Sequence, residues 1–256
     1  MEEQILHTEI GPATLAMTGW ELLLVLAVTA QATLLAYLRH PRWKAFILTL
    51  PIPFSLSTLS LGLQVDVTNV TGLVLLLGYT LGVYFLHARW RAPIIPSIIG
   101  CAVGYCLAGT LLARVLPASD RAFWIAAGLV FVTGVLLYRL MPHRDEPSHR
   151  SPLPVLVKAA LIALVVITLV VIKQQLQGFM TVFPMVGVIA SYEGRHCLWT
   201  LARQIPVLII AMLPMMVTIH ALQPAIGTGW ALGAGWLVFM AILIPFTRRQ
   251  WAAIPG

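Results

Sequence analysis

The sequence predicts an all-α polytopic membrane protein, and three observations carry that prediction. Hydrophobic residues make up 59% of the 256 and charged residues only 10%, with a mean hydropathy of +0.91; soluble domains carry about 25% charge and less apolar content. The apolar residues gather into nine runs near the length that crosses a hydrocarbon core, about 20 residues at 1.5 Å rise. The basic residues collect in alternate connections between those runs, the pattern that orients a chain across a bilayer. The runs cover 19–38, 45–62, 70–88, 93–114, 122–140, 153–172, 178–192, 203–222 and 228–246, and no connection is long enough for a soluble domain.

Taken in order, an acidic tail (1–18) lacks the basic leader and small-residue cleavage site of a signal peptide and is not expected to be one. The run 19–38 carries Gln31 near its centre. Trp43 between Arg42 and Lys44 marks the interface before the run 45–62, in which Pro51 and Pro53 precede Ser55, Ser57, Thr58 and Ser60. A proline removes a backbone donor and frees the carbonyl one turn earlier, so this run is expected to be interrupted. Runs 70–88 and 93–114 flank a second Arg-Trp-Arg cluster at 89–91. These clusters fit an interfacial aromatic anchor, with headgroup or partner recognition as the functional alternative. After run 122–140, the polar stretch His143–Arg150 reads as the one real linker. Beyond 153–172, the short run 178–192 holds Pro184 and Gly187 and ends in Ser191-Tyr192-Glu193-Gly194-Arg195. Arg203 and Gln204 open the run 203–222, and Arg248, Arg249 and Trp251 follow the last.

With the N-terminus outside and the C-terminus inside, every basic residue but Arg114, Arg121 and Lys173 falls on the cytoplasmic side, while Glu2, Glu3, Glu9, Glu21, Asp66 and Asp120 lie outside. The net charge of +7 and pI near 9.8 thus report topology, not nucleic-acid binding. Lys158 and Lys173 read as snorkelling anchors.

Shifting the second half back by 133 residues lays 153–246 over 19–114 without a gap; Pro184 meets Pro51 and His220 meets His87. The chain therefore divides into a tail (1–18), a first four-helix unit (19–114), a connector helix and linker (115–152), a second four-helix unit (153–246) and a cytoplasmic tail (247–256). An odd number of intervening spans makes the two units inverted-topology repeats, an arrangement of secondary transporters whose sites lie at the midplane between broken helices. A site between 45–62 and 178–192 follows, with Gln31, Pro51, Ser55, Thr58, Pro184, Tyr192, Glu193, Arg195, Arg203 and Gln204 as its candidate substrate-binding residues.

Each has a structural alternative: hydroxyls patch kinks, a neutral amide glues helices, and a boundary arginine reaches headgroups. Arg203 is expected to face the bundle interior with Glu193 as its partner, because an unpaired cation at a helix centre costs about 2.5–3.5 kcal/mol. Met212, Met215, Met216 and His220 share a helical face that suits Cu(I). Methionine is more commonly core filling, and no cysteine completes the set, so no metal is expected. Cys101, Cys106 and Cys197 form no ligand spacing. No catalytic motif occurs, and neither catalytic residues nor cofactors are expected.

Phe183-Pro184, Ile189-Ala190-x-Tyr192 and Leu201-Ala202-Arg203, followed by Pro206 and Pro214, resemble the small four-helix membrane proteins of the GlpM family across about 153–246. That resemblance implies a bacterial inner-membrane protein connected with exopolysaccharide production and brings no catalytic residues. Two functions are therefore expected: a transporter or permease of a small, anionic or amphipathic solute, or a non-transporting accessory or lipid-handling subunit of an envelope polysaccharide pathway. The expected partners are membrane lipids and a small-molecule or lipid-linked substrate, with no nucleic acid; a homodimer is compatible with either.

Overall fold

The computed structural model describes residues 19–38, 41–142 and 178–252, with 160, 163, 164 and 167 between them. The linker 143–150, Lys158, Lys173 and nearly all of the run 153–172 lie outside the described residues. Among the described residues every regular element is helical. The helices are α1 (Gly19–Tyr37), α2 (Pro41–Thr49), α3 (Ile52–Leu61), α4 (Val67–Tyr84, running into a π-helical turn at Phe85–Arg89), α5 (Ile94–Val115), α6 (Asp120–Leu140), α7 (Phe179–Val182), α8 (Met185–Glu193) and α9 (Leu198–Ala252).

Four of these are long and apolar enough to cross a membrane: α4 with its π-turn, α5, α6 and α9. The longest is not straight. Gly227 adopts φ 79° and ψ 164°, a conformation that L-residues with a side chain avoid. Beyond it the chain folds back: a Cβ built on Gly235 would lie 2.8 Å from Ile219 Cγ1, although sixteen residues of straight helix span about 24 Å. Two packed limbs, 198–226 and 228–252, result, on the runs expected at 203–222 and 228–246.

Both proline-bearing runs are broken, as their sequences require. The run 45–62 becomes α2 and α3, parted at Leu50-Pro51; the run 178–192 becomes α7 and α8, parted at Phe183-Pro184. The breaks fall at the positions paired by the 133-residue offset, and so do the starts of α5 (Ile94) and of the second limb of α9 just past Gly227.

Helix α4 occupies the centre and touches α5, α6, α7 and α9. Its buried residues include Val70, Leu73, Leu76, Tyr79 and Val83, at the three-to-four-residue spacing of one helical face. By contrast, α5 and α6 turn long apolar stripes outward, Ile99, Val103, Leu107 and Leu111 on one and Ile125, Leu129, Val132 and Leu136 on the other. In a bilayer such stripes meet acyl chains, and burying them inside protein is unnecessary.

The connections are fixed by side chains. Gly62 closes α3 in the left-handed region at φ 64°, its amide donating to the Thr58 carbonyl at 3.1 Å. Asp66 caps α4 by accepting from the Thr68 amide at 2.9 Å, and Asn69 Oδ1 accepts from the Asp66 amide at 2.8 Å, completing a capping box. His220, on the first limb of α9, pins this connection from the other side. Its Nδ1 lies 2.7 Å from the Val65 carbonyl, its Nε2 lies 2.7 Å from Asp120 Oδ1 on α6, and its ring stacks on Phe123 at 3.7 Å. A carbonyl only accepts, so Nδ1 carries the proton of the first bond. Gln223 adds bonds to the Val65 amide and the Leu63 carbonyl.

Candidate functional site

A cavity of about 80 Å³ lies between the two broken helices. Its walls come from Leu48, Leu50, Pro51, Pro53 and Phe54 at the first break and from Thr181–Gly187 at the second. Leu76, Tyr79 and Thr80 of α4 close one flank. Leu201, Ile205, Leu208 and Met212 of α9, at the spacing of one helical face, close another. No lining residue carries a charge. The cavity well exceeds the ~10–15 Å³ that one water needs.

The breaks are built by proline and held by side chains. Pro51 has no amide to offer the Ile47 carbonyl, one turn before it. Gln31 of α1 donates from Nε2 to that carbonyl at 2.7 Å and to the Leu50 carbonyl at 3.3 Å, while the Leu50 amide also reaches Ile47 at 3.2 Å. Gln31 is 5% exposed, so this amide works in a dry environment. At the second break, the Tyr105 hydroxyl of α5 donates to the Phe179 carbonyl at 2.8 Å. The Asn69 side-chain amide donates to Thr181 Oγ1 at 2.8 Å and to the Gly178 carbonyl at 3.3 Å. Asn69 thus caps α4 with its oxygen and anchors α7 with its nitrogen.

The sequence-derived candidates separate into three groups. Pro51 and Pro184 line the cavity. Gln31, Ser55 and Thr58 are buried beside it and hold helices. Ser55 donates to the Pro51 carbonyl at 2.9 Å and accepts from Trp236 Nε1 at 2.8 Å, which ties the second limb of α9 to α3; Thr58 donates to the Phe54 carbonyl at 2.8 Å. The third group lies away from the cavity, in and after the turn that ends α8. Arg195 stacks over the Tyr192 ring at 5.4 Å and donates to the Tyr192 carbonyl at 3.4 Å. Glu193 is 2% exposed there, and Gln204 is half-buried on α9.

Arg203 is half-buried and donates from Nε to the Met141 carbonyl at 3.2 Å, at the C-terminal cap of α6. At about 100° per residue it sits on the face of α9 opposite Leu201 and Ile205, so it looks toward α6 and not toward the cavity. A cation at a helix C-terminus is favoured by the helix dipole.

Met215 and Met216 are fully buried in the core, and no group of three or more His, Cys, Asp or Glu side chains that could hold a metal occurs among the described residues. Among the described residues Cys101, Cys106 and Cys197 form no disulfide.

Sequence reasoning passed over Tyr79, Thr80, Thr181 and Ser191, the polar groups that line the cavity. The signal was present in Gly78-Tyr79-Thr80, a polar step inside an otherwise apolar run, but nothing local says that it faces two helix breaks from other parts of the chain. Trp236 and Tyr105 were missed likewise; each donates to a partner more than seventy residues away.

Fold and site together define an all-helical protein with four helices long and apolar enough to cross a membrane and an uncharged cavity between two broken helices. The chain matches no protein-family model, no curated protein and no solved structure.

Proposed function

We propose that this protein is a secondary transporter or permease of a small, anionic or amphipathic solute, with its site in the cavity between α2–α3 and α7–α8. The observation that carries the proposal is that one cavity is walled by both Pro51 and Pro184, equivalent positions 133 residues apart. Paired discontinuous helices around a central site are a recurring solution for alternating access, because unwound backbone supplies ligand groups without charged side chains.

The same reading takes the chain across the bacterial inner membrane nine times, N-terminus outside, as two inverted four-helix repeats joined by α6. It is supported by the way the helix ends group. Asp66 and Asn69, Asp120, Gly178, His220 and Gln223 lie at connections that meet one another. Tyr84, Trp199, Pro142, Met141 and Arg203 meet at the other set. Alternation of nine spans requires that partition.

The mostly apolar lining, with the resemblance to GlpM-like proteins, favours as second reading an accessory or lipid-handling subunit of an envelope polysaccharide pathway. Accessibility separates the two. In a variant with Cys101, Cys106 and Cys197 replaced, a cysteine at Leu48 or Thr181 is treated with a membrane-impermeant thiol reagent in right-side-out and in inverted vesicles. A transporter is labelled from both sides. Labelling from neither side sinks the transport reading.

A further inference from the structure

We propose that the cavity binds a small uncharged amphipathic solute, its hydroxyl or carboxamide head held by the neighbouring hydroxyls of Tyr79 and Ser191 and its apolar body lying along α9. This narrows the transporter reading to one substrate class and rests on it.

The head group follows from two hydroxyls that the fold leaves unused. Tyr79 of α4 and Ser191 of α8 both form cavity wall, and each residue is 3% exposed. The Tyr79 hydroxyl lies beside Ser191, and neither hydroxyl has a formed hydrogen bond among the described residues. The other two hydroxyls of the wall are engaged. Thr80 donates to the Leu76 carbonyl at 2.9 Å; Thr181 donates to the Gly178 carbonyl at 2.6 Å and accepts from the Asn69 side chain at 2.8 Å. If Tyr79 and Ser191 turn toward each other they share at most one bond, whichever donates, so one O–H is always left over. A buried hydroxyl without its bond is costly, and a ligand group that both accepts and donates completes the pair.

The walls decide the charge. No lining residue carries one. At the two breaks, the lining residues' backbone groups without a partner among the described residues are of both kinds: the amides of Phe54, Val186 and Gly187 and the carbonyls of Leu48, Thr181 and Val182. These oppose one another and favour neither sign. A carboxylate or an ammonium would stand among them as an isolated buried charge, which costs far more than burying a hydroxyl or an amide whose bonds are made.

The remaining wall sets the body. Leu201, Ile205, Leu208 and Met212 present one apolar face of α9 to the cavity, with Leu76 and Val182 beside them. A polyol would turn its further hydroxyls against these side chains and leave them unpaired. The volume of about 80 Å³ is roughly five to eight times what one water needs, which suits a solute of about five or six non-hydrogen atoms.

The test uses the full-length protein and four probes of similar size: butyramide, butyrate, butylammonium and glycerol. Binding in detergent is read by saturation-transfer NMR titration against empty micelles. Entry into proteoliposomes is read by stopped-flow light scattering against protein-free liposomes. The expected result is saturable butyramide binding, tighter than that of the other three, and faster entry of butyramide. Tyr79→Phe and Ser191→Ala should each lower butyramide affinity about fivefold, as for one neutral hydrogen bond. Each variant deletes a single oxygen that has no partner in the fold, so unfolding without ligand should occur at or above the wild-type temperature, which a structural role would not allow. Butyrate or butylammonium bound as tightly as butyramide overturns the uncharged assignment. Undiminished butyramide binding in both variants overturns the role of the two hydroxyls. Faster entry of butyrate, butylammonium or glycerol with no butyramide binding overturns the inference and leaves transport standing. Butyramide binding weakened in the variants, with faster entry of no probe, upholds the site and overturns transport. Neither binding nor entry overturns both.

Discussion

Replacing Gln31 with leucine tests how the first helix break is held. The substitution keeps the side-chain volume nearly constant and deletes the donor that reaches the Ile47 carbonyl at 2.7 Å and the Leu50 carbonyl at 3.3 Å. Ile47 keeps the Leu50 amide at 3.2 Å, so the loss is concentrated on Leu50, whose carbonyl is left without that donor. Orphaning a buried acceptor costs about 1–3 kcal/mol, whereas polar bonds between membrane helices average only about 0.6 kcal/mol. Leucine also removes Gln31 Oε1, which has no partner among the described residues, and so recovers part of the loss. The expected net destabilisation is about 1–2 kcal/mol. Gln31→Glu should be worse at neutral pH, because a carboxylate only accepts and would confront two carbonyls; it should recover on acidification, when the protonated acid can donate once. Unfolding in mixed SDS micelles measures all three proteins, with Thr110→Val as control, since the Thr110 hydroxyl bonds only the Cys106 carbonyl of its own helix at 2.9 Å. If Gln31→Leu unfolds with the wild type and the control, within about 0.5 kcal/mol, the amide does not hold the break.

Four further perturbations follow from the packing. A Cβ on Gly134 would lie 2.6 Å from Ile209 Cγ2, so Gly134→Ala should force α6 from α9 and cost about 1–3 kcal/mol. Gly104→Ala, with nothing within 4 Å, should instead stabilise α5 by about 0.5–1 kcal/mol; thermal unfolding in detergent distinguishes the signs. A double-mutant cycle of Trp236→Phe and Ser55→Ala should show a coupling of about 0.5–1.5 kcal/mol for their 2.8 Å bond, and a coupling of zero would separate the second limb of α9 from α3. Arg203→Ala should weaken the α6 end by about 1 kcal/mol and, under the proposed transport function, leave solute flux intact, because its Nε serves the Met141 carbonyl on the face away from the cavity; under that proposal, abolished flux at normal stability would return Arg203 to the substrate path.

Local chemistry determined the helical segments and where they stop. A run of apolar residues near bilayer length has one way to satisfy its backbone in lipid, so its existence as helix is legible residue by residue. Proline acts through its own ring and missing amide, so the interruptions at Pro51 and Pro184 needed no knowledge of the rest of the chain. The cavity's polar groups were not legible, because each is defined by a partner distant in sequence. Gln31 could serve a substrate or a neighbouring helix, and only the arrival of Ile47 and Leu50 beside it decides for the helix. Arg203 carries the same cost of burial whichever way it faces, and the rotation of α9 directs it to Met141. Tyr79 is one more residue of the buried face of α4 until α7 and α8 close over it. Hydropathy and proline act along the chain and are written in it. The direction of a polar side chain depends on helix rotation and on which carbonyls are left open nearby, quantities that exist only once the helices have packed.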